Sequence, residues 1–103
     1  MKILTEGHKY VAANFENKEN GQTIQFIEKT PVTPGSAELA TVNDGTTNEE
    51  LLEVLLDRLN YLNSKFPCRE NAIAITNIEQ ALLWLNRRTQ LRLQRGVEGK
   101  NLK

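Results

Sequence analysis

Apolar and polar positions divide the chain into a strand-like first half and a helical second half. The sharpest pattern lies between Arg69 and Arg95, where Ile75, Ile78, Leu82 and Leu85 recur at steps of 3, 4 and 3 and share one stripe of a 3.6-residue repeat. No glycine or proline interrupts this stretch, and Gly96 follows where a left-handed C-terminal cap is expected. The pattern predicts one long helix. A second face of it carries Trp84, Arg88, Arg92 and Arg95 at steps of 4, 4 and 3, which aligns three guanidinium groups below an indole. Upstream, Leu52, Leu55, Leu59, Leu62 and Phe66 step by 3, 4, 3 and 4, after a Thr47-x-x-Glu50 capping box and before a terminating Pro67. Leu51, Val54 and Leu56 widen that stripe beyond what one neighbour requires, so this helix is expected to face two partners. The short link Phe66-Pro67-Cys68 is of the length that joins antiparallel helices, and the two helices are expected to form a hairpin.

The first half reads as strands. Lys9 to Phe15 alternates imperfectly, the segment ENKENG supplies turn residues with Asn20-Gly21 as the strongest hairpin signal, and Gln22 to Glu28 returns with Ile24 and Phe26 on one face. Two prolines and a glycine make Thr30 to Ser36 a loop, and Glu38 to Val42 suits a short third strand. Residues 1–7 read as an arm or edge segment. So few strands do not stand alone in water, so they must pack on the helices or on another subunit. The expectation is an α+β fold in a single domain, 1–103: a small N-terminal antiparallel β-sheet of two or three strands (1–45) packed on a long C-terminal helical hairpin (46–96), a loose tail (97–103), and an oligomeric assembly.

Composition changes this picture in one respect. Hydrophobic content of 39% and charged content of 25% are those of a soluble globular protein, with no apolar run near the ~18 residues of a membrane span and no secretory signal pattern, so a cytoplasmic location is expected. The net charge is zero, yet the distribution is uneven. Residues 69–103 hold seven basic and three acidic groups, and from Arg87 to Lys103 there are six basic residues against the single Glu98. That concentration suggests a local anion site, or a solvated helix end whose cations complement the helix dipole.

The chemistry available favours binding over catalysis. One cysteine, Cys68, and one histidine, His8, are too few for a zinc site, and no Ser/His/acid set, paired carboxylates or phosphate-binding glycine loop is present. Arg88 and Arg92, one turn apart, suit paired charge-assisted hydrogen bonds to a phosphate or pyrophosphate. Trp84 or Tyr61 offers a ring to stack on a base, although core is the simpler expectation for Trp84, and Asn71 and Asn86 offer amides that could read a ligand edge but more often cap or are solvated. A nucleic-acid-binding module or a regulatory interaction module is the alternative; helix one is acidic and the whole chain is neutral, which makes nucleic acid the weaker partner.

The segments NGQTIQFIEK and DGTTNEELLEVLLDRLNYLNSKFPCRENAIAITNIEQALLWLNRRTQLRLQRGVEG resemble the phage-encoded Thoeris anti-defence sponges, which share a helical-hairpin domain with the anti-CBASS sponges. The link FPCRENAIAIT and the segment EQALLWLNRRTQLRLQRGVEG carry the most specific likeness. The resemblance implies a protein that is not an enzyme and has no cofactor, and that sequesters a cyclic ADP-ribose isomer in the cytoplasm of the infected bacterial host and releases it unaltered on denaturation. It also implies a homodimer in which the sheet of one subunit closes over the helices of the other, and in some members a homohexamer with separate sites for cyclic di- or trinucleotides. The ligand contacts it implies fall on Asn71 in RENA, on Arg88 and Arg92 in RRTQLR and on Tyr61 in helix one, with Phe15 as the covering aromatic and Arg58 assigned to the cyclic-oligonucleotide site.

Overall fold

The computed structural model describes all 103 residues, which divide into two units, Met1–Thr47 and Asn48–Lys103. In the first, β1 (Lys2–Thr5), β2 (Lys9–Ala13) and β3 (Gly21–Gln25) form an antiparallel sheet in the order β1-β2-β3. The segment read as an arm or edge thus contains an edge strand. Tyr10 of β2 stands opposite Ile24 of β3, and the Phe26 ring meets the Tyr10 ring edge-on at 5.9 Å and 83°, which gives this small sheet an aromatic anchor.

The stretch from Gln22 to Glu28, expected as one strand, is two. The ladder stops at Gln25; Ile27 N–H then donates to Thr46 O at 2.9 Å, and the chain re-enters a strand at Glu28. β4 (Glu28–Pro31) pairs antiparallel with β5 (Leu39–Asn43) as a separate two-stranded ribbon. Pro31 closes a strand end, where its missing N–H costs least, so the loop expected from Thr30 begins only after it. Asn20-Gly21 is not a two-residue turn either. The connection runs from Asn14 to Asn20, closed by Asn14 N–H donating to Asn20 O at 2.9 Å, and Gly21 lies within β3. A Cβ there would fall 2.1 Å from the Ala12 carbonyl oxygen, so the glycine serves close approach of two backbones.

The second unit is the helical hairpin, α1 (Asn48–Lys65) and α2 (Arg69–Arg95). Cys68 is the N-cap of α2: its backbone is extended and its Sγ accepts from Asn71 N–H at 3.4 Å, while its own N–H donates to Asn63 Oδ1 at 3.1 Å. The thiol's role is therefore local. At the far end Gly96 adopts φ 73°, with Gly96 N–H donating to Leu93 O and Val97 N–H to Arg92 O, the paired bonds of a Schellman cap.

The seam between the helices follows the expected stripe on α2 but not on α1. Leu82, 8% exposed, is its most buried aliphatic residue, flanked by half-buried Ile75, Ile78 and Leu85. From α1 the half-buried positions at seam spacing are Leu52, Leu56, Leu59 and Asn63, with Glu49 and Leu51 half-buried in its first turn, whereas Leu55 is 46% and Phe66 85% exposed. The amide of Asn63, committed to the link through Cys68, occupies the seam's last position and leaves Leu62 and Phe66 on an outer stripe. At the other end Leu85 shares an apolar groove with Asn48, Leu51, Leu52 and Leu55 in the first turns of α1. From Asn86 onward, α2 therefore runs about 15 Å past the start of its partner helix.

Candidate ligand-binding face of the second helix

That overhang is where the cations collect. Trp84, Arg87, Arg88, Leu91, Arg92, Arg95 and Lys103 line a groove of about 260 Å³, and Leu83, Trp84, Asn86, Arg87 and Gln90 line a second of about 280 Å³ beside it. The Trp84 indole and Arg87 are common to both. Trp84 is 72% exposed, so within the chain it is a surface aromatic and not core. Five cationic side chains along one groove, with Glu98 as the acidic residue bonded to one of them, produce a local positive potential suited to an anion. Amide groups at Asn86 and Gln90 add donors and acceptors beside the indole face, the combination that recognises a heterocycle carrying phosphate.

Arg88 and Arg92, expected to act as a matched pair, differ sharply. Arg88 is exposed at the groove. Arg92 is 6% exposed and turned inward onto the chain's own C-terminal residues: Nε donates to Glu98 Oε2 at 3.1 Å, Nη2 to the carbonyls of Val97 and Lys100, each at 2.8 Å, and Nη1 to that of Leu102. A one-turn spacing sets where the two side chains start, and the tail's acceptors then draw one of them away. The groove as it stands presents Arg87, Arg88 and Arg95 around Trp84.

The other expected contacts lie elsewhere. Asn71 is half-buried in the first turn of α2, and Tyr61 is exposed near the same end of the hairpin with Lys65 Nζ 5.4 Å from its ring centroid. Arg58 is exposed midway along α1. Phe15, 92% exposed, sits in the β2–β3 connection. Seventeen helical residues separate Asn71 from Arg88, a rise of about 25 Å, so one chain does not bring both to the same mononucleotide-sized ligand. Arg87, Leu83 and Gln90 were not among the expected contacts; their trace in the sequence is the step of 4 and then 3 from Leu83 through Arg87 to Gln90, beside Trp84 and off the seam.

The family model for the Acb2/Tad1 hairpin domain matches residues 22–90, which take in most of β3, all of β4, β5 and α1, and most of α2. The chain belongs to the Acb2/Tad1 hairpin family. The match ends at Gln90, so Arg88 lies within the family domain while Arg92, Arg95 and the tail lie beyond the matched stretch. Thoeris anti-defense 1 of Bacillus phage SBSphiJ7 is 48% identical over 84 residues, taking in 70% of this chain and 59% of the relative's length. No helix of this Acb2/Tad1-family chain is long and apolar enough to cross a membrane.

Proposed function

We propose that this protein is an anti-defence nucleotide sponge, which binds a cyclic ADP-ribose-type immune signal and holds it without degrading it. The observation that carries the reading is the exposed Trp84–Arg87–Arg88 face within a chain of this family. An indole and guanidinium groups supply stacking and charge-assisted hydrogen bonds to a base and a pyrophosphate. Neither bond-breaking nor turnover is needed for sequestration. Cyclic di- or trinucleotides at a separate site, with Arg58 as a contact, extend the same proposal.

The site is composite in this reading. Asn71 and Tyr61 belong at the opposite end of the hairpin from Arg88, so an antiparallel pairing of two copies is the arrangement that unites them around one ligand, with Arg92 and Phe15 as further contacts. Surface area supports association. Two separate compact bodies of half this chain's mass each would together expose about 7,100 Å², whereas the chain exposes 8087 Å². The excess includes the outer stripe of α1, Leu55, Leu62 and Phe66. A homodimer, or a homohexamer built from such dimers, covers it.

Native mass spectrometry of the protein with cyclic ADP-ribose isomers tests the proposal, since it reads protein and ligand stoichiometry together. Two ligands per dimer are expected, one for each antiparallel pairing of Asn71 with Arg88. A ligand-bound monomer contradicts the composite site, and a chain that takes up duplex DNA with a steep salt dependence but no cyclic nucleotide favours a nucleic-acid-binding role instead.

A further inference from the structure

The guanidinium of Arg92 has five N–H donors, and the tail takes four of them. The acceptors are one carboxylate oxygen and three backbone carbonyls, drawn from residues 97–102. They converge because the backbone turns left-handed twice, at Gly96 with φ 73° and at Gly99 with φ 78°, while Lys100 N–H donates to Val97 O at 3.0 Å and closes the turn between them. Ending the helix does not require this. The Schellman bonds already satisfy the Arg92 and Leu93 carbonyls, and an arginine at such a position ordinarily projects into water. Arg88, one turn earlier on the same face, is exposed.

We propose that residues 97–102 are a latch: they present to Arg92 the set of acceptors that a phosphate group would, and they occupy the donors of this guanidinium at the edge of the groove until an anionic ligand displaces them. The inference rests on the reading of the groove as an anion site. A phosphate accepts charge-assisted bonds more strongly than the three neutral carbonyls do, and Glu98 is the tail's one acceptor of matching charge, so a bound phosphate competes with the tail for Arg92. The latched fraction of molecules lowers the apparent affinity in proportion, and weakening the latch raises it. Glu98, which reaches Nε through a carboxylate 35% exposed, and Gly99, whose left-handed turn aims the last acceptors, are the positions that set this balance.

Two substitutions in the full chain test it, with ADP-ribose as the probe in calorimetry. Glu98→Ala removes the charged acceptor. Gly99→Val adds a side chain with nothing within 4 Å of its Cβ, so it acts only by straining the left-handed turn. Each variant is expected to bind ADP-ribose roughly three- to tenfold more tightly than the parent chain. Nitrogen-15 spectra should show the Arg92 Nε–H protected from exchange in the free parent chain, unprotected in both variants, and the tail amides released when ADP-ribose is added. Unchanged or weaker binding by both variants, beside a parent chain that binds, overturns the latch and leaves the anion site standing. Binding by none of the three forms overturns the anion-site reading, and the latch with it.

Discussion

Substitution of Arg88 by alanine separates a specific phosphate contact from a general positive field. Arg88 is exposed and lies off the Ile75, Ile78, Leu82, Leu85 seam, so its loss should change folding stability by no more than about 0.5 kcal/mol. A charge-assisted hydrogen bond to a phosphate oxygen is worth about 1.5–3 kcal/mol, which corresponds to a loss of roughly ten- to a hundredfold in affinity. Arg95 is the internal control. It lines the same groove with the same charge but is the last residue of α2, directly before the Gly96 cap, and removing it subtracts field without removing the guanidinium one turn from Trp84. Calorimetry of the two alanine variants with a cyclic ADP-ribose isomer should give a large loss for Arg88→Ala and less than about threefold for Arg95→Ala, since a screened surface charge contributes well under 1 kcal/mol. Equal losses would mean that the groove acts only through its summed charge, and the assignment of Arg88 to a phosphate would be wrong.

Other substitutions test the frame that holds this face. Leu82→Ala empties the most buried aliphatic position of the hairpin seam and should cost about 2–3 kcal/mol in urea unfolding, the lower end for leucine truncation because its neighbours are half-exposed and able to close in; a cost under about 1 kcal/mol would show that the seam is not the unit's core. Gly21→Ala forces a Cβ toward the Ala12 carbonyl and should lower the melting temperature by several degrees, with loss of β2–β3 pairing read by amide exchange; an unchanged exchange pattern would refute the close-approach argument. Leu55→Lys puts a charge on the outer stripe of α1 and should shift sedimentation toward the monomer, whereas an unaltered distribution would place the subunit interface elsewhere.

The helices were legible because their signals are local and repeated. The periodicity from Arg69 to Arg95, the Gly96 stop and the Pro67 break each act within a few residues, and α2 occupies the expected span. The sheets were less so. The break after Gln25 depends on backbone groups from His8 and Thr46 that lie far along the chain and leave no periodic trace, and the pairing of Pro31 with Leu39 puts a proline, read as a loop residue, at a strand end. On α1 a wide apolar stripe fits two rotations equally well, and the choice fell to a polar residue, Asn63, through its bond to the link. The site shows the same division. Side-chain spacing located the basic face of α2, but only the three-dimensional path of residues 97–102 reveals that Arg92 points into the chain while Arg88 points out.

Sequestration without turnover is tested most directly by capture and release. The protein is incubated with a cyclic ADP-ribose isomer, separated from free ligand by filtration, then heat-denatured, and the released small molecules are identified by mass spectrometry. The signal should be depleted from the filtrate and recovered intact, in amounts that scale with protein and do not change with incubation time. Recovery of a linear or cleaved product that accumulates with time, or a filtrate that keeps all of the signal, would contradict it.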